Sequence, residues 1–135
     1  MTNLTLAQSL IMKATDRLDI LDLLLKKGAY SDVVREAQEI VELALKGMLR
    51  AVGIEPPKFH DVGGLLIEHK GKYDEEISKN LGRAATISKR LKKERELAFY
   101  GDIDFIPTEE YNIDDAREAM EGANFVVVLA RRLIK

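Results

Sequence analysis

Apolar residues recur at alternating steps of three and four along most of this chain, a spacing that an α-helix gathers onto one face and a strand cannot. Leu4, Ala7, Ile11, Ala14, Leu18, Leu21 and Leu25 form the first such seam. Gly28 stands after Lys26 and Lys27 as its stop, cations at the negative end of a helix followed by a residue free to turn. Ser31 is placed to cap a second helix, whose seam is Val33, Ala37, Ile40, Ala44, Leu45, Met48 and Val52. Gly53 closes it, with Ile54 as the apolar partner of a Schellman turn. Pro56 and Pro57 forbid continuation, so residues 55–60 read as an extended connector, and Asp61 then caps a short helix through Leu65, Leu66 and Ile67 that Gly71 ends.

A third long helix spans residues 74–100, with Ile77, Leu81, Ala84, Leu91 and Ala98 on one stripe. Gly101, Pro107 and the surrounding aspartates make a turn-rich loop with one helical turn at residues 108–111. Asn112 with Asp115 three positions on has capping-box spacing, and Ile113, Ala116, Met120, Ala123, Val127, Ala130 and Ile134 form the last seam. Residues 125–128 have strand propensity, but no partner strand exists elsewhere, so helix is the reading. The predicted fold is all-α: a single domain over residues 1–135, an up-and-down bundle of four long helices plus one short helix. The first and last seams lie near a heptad, which leaves one of them able to pack against a second subunit.

Several chemistries are excluded by composition. Cysteine is absent, which removes disulfides, thiolate metal sites and a thiol nucleophile together. His60 and His69 are the only histidines, nine positions apart, and offer neither a three-histidine zinc site nor a zincin pair, so no metal is expected. Val62-Gly63-Gly64 lacks the lysine and hydroxyl of a P-loop, and Ser31, Ser78 and Ser88 have no neighbouring histidine and carboxylate to activate them. General acid or base work would fall on His60, Tyr100 or a loop aspartate. The longest apolar run, residues 125–130, is too short to cross a bilayer, and the first residues lack the pattern of a signal peptide, so a cytoplasmic location is expected.

The net charge of −2 argues against a protein that coats nucleic acid through bulk charge, yet the charges are segregated. Lys89, Arg90, Lys92, Lys93 and Arg95 surround the single Glu94, whereas residues 101–115 carry Asp102, Asp104, Glu109, Glu110, Asp114 and Asp115 and no basic residue. One reading is a solvated helix face partly neutralised by an acidic loop. Arg95 resists that reading because it falls inside the apolar stripe of the third long helix. A permanently charged guanidinium there must reach a carboxylate, a phosphate, a subunit interface or a wet cleft.

The segments Tyr30-Ser31-Asp32-Val33-Val34-Arg35-Glu36-Ala37-Gln38-Glu39, Ala44-Leu45-Lys46-Gly47-Met48-Leu49, Gly53-Ile54-Glu55-Pro56-Pro57-Lys58-Phe59-His60-Asp61-Val62-Gly63 and Arg95-Glu96-Leu97-Ala98-Phe99-Tyr100-Gly101-Asp102, with the alanine-rich last helix, resemble the HEPN domain, the higher eukaryote and prokaryote nucleotide-binding family. The resemblance implies a helical homodimer, often partnered with a minimal nucleotidyltransferase in toxin-antitoxin-like pairs. Many family members are metal-independent ribonucleases whose arginine is followed after four to six residues by a histidine, paired across the dimer. Arg95 matches the arginine, but the corresponding positions hold Tyr100, Gly101 and Asp102, so the imidazole is missing. Tyr100 resembles the tyrosine of the nucleotidyltransferase-associated branch, where nucleotide or partner binding is the role.

The expected site is a nucleotide-binding set of Arg95, Lys92, Tyr100, Asp102 and His60, with Arg95 on a phosphate and the ring of Tyr100 on a base. No cofactor, metal or membrane enters this expectation. Two alternatives are a divergent ribonuclease using Arg95 with Tyr100, Asp102 or His60, and a purely structural helical adaptor in which Arg95 makes an ion pair with a neighbouring helix or the Asp102 loop.

Overall fold

The computed structural model describes residues 3–58 and 62–134, with only the backbone of residues 3 and 4. Among the described residues it is all-α: long helices α1 (Asn3–Lys26), α2 (Tyr30–Ala51), α5 (Leu81–Phe99) and α7 (Ile113–Arg131), with short helices α3 (Val62–Glu68), α4 (Glu75–Ser78) and α6 (Pro107–Glu110). Residues 125–128 lie within α7, and no strand forms beyond one isolated bridge between Asp102 and Phe105.

α2 is the axis of the bundle, packed against α1, α7, α5 and α3. Its expected seam is buried from Val33 to Met48, and Val34, Gln38, Val41, Gly47 and Leu49 are buried beside it. A central helix needs apolar residues on more than one face, and each fully buried Ile or Leu contributes about 1.5–3 kcal/mol. α1 and α7 need one face each: Ala7, Ile11, Ala14 and Leu21 are buried from the first, Ala116, Ala123, Val127 and Ala130 from the last.

Local signals set most boundaries. Gly28 donates to the Leu25 carbonyl and Ala29 to that of Leu24, and Gly53 and Ile54 repeat the arrangement on Arg50 and Leu49, so both helices end in Schellman turns. Asn112 and Asp115 form the full capping box, each side chain accepting from the other's backbone N–H. The Met48 carbonyl, near the end of α2, accepts from the buried Tyr73 hydroxyl at 2.7 Å. A long-range side chain thus satisfies a group in the last turn of the helix.

Other boundaries differ from expectation. Ser31 does not cap α2: the turn after α1 leads straight into Tyr30, Ala29 stands at the cap, and Ser31 is buried inside the helix. The helix expected over residues 74–100 is divided. Asp74 caps α4 through the Ile77 N–H, but Asn80 turns its amide back onto the Glu76 carbonyl, and its own N–H bonds Ile77 rather than Glu76. This tightened turn separates α4 from α5 while leaving Ile77, Leu81, Ala84, Leu91 and Ala98 all buried. The expected helix after Asp61 is α3, which stops at Glu68 and passes into a 3-10 turn at Lys70–Lys72. Asp61 itself lies outside the described residues.

Candidate anion-binding site on α5

The site is organised by the last two turns of α5. Tyr100 follows the helix, and Gly101 takes φ +70 with its N–H on the Leu97 carbonyl at 3.1 Å. A side chain at Gly101 would meet the Phe105 carbonyl 2.5 Å away, so only glycine fits. Asp102 and Phe105 then exchange backbone hydrogen bonds, holding Ile103 at the tip with 92% of its surface exposed. The Phe105 ring meets that of Tyr111 edge-on, and the Tyr111 hydroxyl donates to Glu94, which ties the loop back to α5. Burial and the Glu94 carboxylate push the Tyr111 phenol well above its usual range.

Arg95 faces α2, as the stripe requires, and its Nη2 lies 3.3 Å from Glu39 Oε1. The same carboxylate oxygen accepts from Arg35 one turn earlier on α2, and the Arg35 guanidinium also lies over the Phe99 ring, 5.2 Å from its centre. Two arginines therefore share one carboxylate. Beside them Arg17 of α1 lies 3.6 Å from Glu36, whose Oε1 is buried without a hydrogen bond. Burial raises the Glu36 carboxyl above its ordinary value; Arg17 opposes the rise, Glu39 adds to it and Arg35 opposes it. Counting Arg17, Arg35 and Arg95 against Glu36 and Glu39, the cluster keeps an excess of positive charge.

That excess is open to solvent. The Arg95 side chain remains 42% exposed. It borders an open cleft of about 440 Å³ lined by Lys92, Lys93, Arg95, Glu96, Leu97, Gly101 and Asp102. The structure therefore brings together Arg95, Lys92 and Asp102 from the expected set. Tyr100 does not line this cleft and lies roughly 140° round the helix from Arg95. It is 76% exposed, with its ring edge-on to Phe99 at 4.8 Å. His60 lies outside the described residues. The acidic loop does not neutralise the basic stretch by ion pairing; the described partners are Glu118 for Arg90 and Glu39 for Arg95, from α7 and α2.

Arg35, Glu39 and Phe99 belong to the site without having been singled out as site residues by sequence. Their only local signal is the four-residue spacing of Arg35 and Glu39, common to any surface helix. Among the described residues no three carboxylates or histidines lie close enough together to hold a metal ion, and no helix is long and apolar enough to cross a membrane.

The model of the HEPN domain matches residues 7–133, nearly the whole chain, and the protein therefore belongs to the HEPN domain family. Among solved structures it is similar to TT1696 from Thermus thermophilus, with a TM-score of 0.73 and 21% identity over 95% of this chain and 98% of that one. At that identity the likeness is one of fold. No curated protein matches the chain significantly.

Proposed function

We propose that this HEPN domain is a nucleotide- or RNA-associated binding module that acts as a homodimer with a minimal nucleotidyltransferase partner, in the manner of toxin-antitoxin pairs. One observation carries the ligand assignment: the Arg95 guanidinium shares its only described carboxylate with Arg35 and opens onto a cleft that also holds Lys92 and Lys93. An arginine kept for the scaffold alone would be matched by its own acid. Phosphate oxygens suit the surplus, because guanidinium and ammonium donors make short, charge-assisted bonds to them. Asp102 closes one side of the cleft and sets where an anion can sit. The homodimer and the partner rest on the family resemblance, supported by the exposed apolar side chains of Phe99, Ile103 and Ile106 at and after the end of α5.

The ribonuclease alternative has weaker support: Asp102 lines the cleft with Arg95, but Tyr100 is turned away and the family's imidazole is missing from the matching positions. The adaptor alternative draws on the Glu39 ion pair. Calorimetric titration of wild type and Arg95→Ala with ATP and short RNA, with thermal melts and light scattering on the same samples, tests the reading. The expected result is a dimer whose affinity falls tenfold or more in the mutant, on the order of 1.4 kcal/mol, while its melting point moves by only a few degrees. Lost stability without ligand heat in either protein would leave the adaptor, and Arg95-dependent cleavage of labelled RNA would establish the nuclease.

A further inference from the structure

The outward face of α5 carries groups that the Arg95 cleft leaves unused. At about 100° per residue Thr86, Lys89, Lys93 and Tyr100 share one stripe, turned roughly 120° or more from Arg95. Lys89, Arg90 and Lys93 with Thr86 border a second hollow of about 240 Å³, and Lys93 is the wall it shares with the cleft beside Arg95. The Thr86 hydroxyl is turned back onto the Gly82 carbonyl, so recognition there falls on the cations.

Most of these cations make no ion pair among the described residues. Elsewhere opposite charges one turn apart do close on each other, as in Asp22 with Lys26, Arg35 with Glu39 and Glu42 with Lys46. On α5 the like pairs Lys89 with Lys92, Lys89 with Lys93 and Arg90 with Lys93 stand at that spacing beside the opposite pairs Arg90 with Glu94, Lys92 with Glu96 and Lys93 with Glu96, and no ion pair is described for any of the latter three. Arg90 is relieved by Glu118. Lys89, Lys92 and Lys93 have no carboxylate within ion-pair distance among the described residues. In a chain of net charge −2 this is a local arrangement, with no counterpart in the overall charge. The stripe ends on Tyr100, the exposed ring just past α5, about 16 Å along the axis from Lys89 at 1.5 Å per residue.

We propose that this face is a track for single-stranded nucleic acid: Lys89, Arg90 and Lys93 hold successive phosphates, and an unstacked base lies on Tyr100. Cations along a backbone path with an aromatic ring in line are what sequence-tolerant binding of single strands requires, whereas a duplex keeps its bases stacked and gives the ring nothing to hold. The track deepens the nucleotide reading above and rests on it in making the ligand a polynucleotide that continues past the Arg95 cleft.

Fluorescence anisotropy with a labelled oligouridylate of about 12 nucleotides tests it against ATP and a duplex of equal length. The variants are Lys89→Glu, Tyr100→Ala and Arg95→Ala, each checked by thermal melting. The track predicts that Lys89→Glu weakens oligouridylate about fivefold or more and lowers the slope of log affinity against log salt by about one, with ATP affinity unchanged. Tyr100→Ala should weaken oligouridylate at least about fivefold and leave duplex binding alone. If ATP binding depends on Arg95 but oligouridylate ignores Lys89 and Tyr100, the track is wrong and the Arg95 cleft stands. If oligouridylate responds to Lys89 and Tyr100 while ATP ignores Arg95, the track stands without the cleft. A duplex bound as tightly, with Tyr100→Ala silent, would reduce the face to plain charge and overturn the proposal.

Discussion

Glu39→Gln separates the two roles open to Arg95, because the same carboxylate that steadies the arginine also opposes any anion arriving there. With Arg95 Nη2 3.3 Å from Glu39 Oε1, two charges about 4 Å apart interact by roughly 1 kcal/mol at the dielectric of water and 4 kcal/mol at an effective value of 20. The side chains are 42% and 31% exposed, which favours the lower figure. Adding the Arg35 contact, an i,i+4 pair of about 0.5 kcal/mol, the substitution should cost about 1.5 kcal/mol. For a chain of 135 residues unfolding with roughly 2.1 cal/mol/K per residue, that is about 5 °C in melting temperature. A phosphate seated on Arg95 would lie some 7 Å from the carboxylate, where repulsion per unit charge is about 0.6 kcal/mol, or nearly threefold in affinity. Screening sets the conditions: at about 7 Å the gain should be nearly full at about 0.01 M salt and cut to roughly half at about 0.15 M. Calorimetric titration with ATP at both strengths reads the effect, alongside melting curves. A drop of more than about 10 °C with no gain in affinity at low salt would show that Arg95 serves the scaffold, and would refute the charge-surplus reasoning.

Two further perturbations test the packing that positions α5. Tyr73→Phe removes the donor to the buried Met48 carbonyl and should cost about 1–3 kcal/mol, read as a lower melting temperature. Burial also raises the Tyr73 phenol far above its usual range, so the folded state keeps a proton that the unfolded chain releases near pH 10. That contribution is intact below about pH 10 and lost as the pH climbs toward the folded value, and the alkaline fall in stability should be shallower in Tyr73→Phe. Gly63 in α3 packs against the backbone of α5: an added Cβ would stand 2.8 Å from Ala85 Cα, so Gly63→Ala should destabilise by about 1–3 kcal/mol despite alanine's better helix propensity. Gly82 in α5 has nothing within 4 Å of that position, and Gly82→Ala should stabilise by up to about 1 kcal/mol, so a melt showing the same sign for both would contradict the packing described.

What the sequence made legible was what its neighbours decide. The Asn112–Asp115 box, the Gly28 and Gly53 stops and the buried stripe of Leu81, Ala84, Leu91 and Ala98 all follow from residues within two turns of one another. Ser31 and Asn80 escape such a reading for the opposite reason. The tight turn after α1 starts α2 before Ser31 can act, and Asn80 prefers a carbonyl behind it to continuing the helix. Arg95 was legible as an anomaly, but its partner was not: Glu39 is one of several acids on α2 until the packing of α2 on α5 selects it. The divergence of Tyr100 from Arg95 was within reach, since five residues on a helix already turn one side chain well away from the other.

The two faces of α5 favour the binding reading over an adaptor when they are taken together. On the inward face a single carboxylate serves Arg35 and Arg95, so the helix–helix contact is made with charge to spare. On the outward face Lys89 and Lys93 stand without an ion pair among the described residues although residues 101–115 carry six acids, and that loop is instead fastened through Tyr111 to Glu94 and through its own backbone. A helix selected only for packing would gain from a carboxylate within reach of Lys89, which has none three or four positions away, a gain of a few tenths of a kcal/mol available by a single substitution at an exposed position. The chain instead keeps the loop acids beside the positive stretch without an ion pair to its lysines, an arrangement that fits the proposed binding of phosphate better than it fits a helix kept for packing alone.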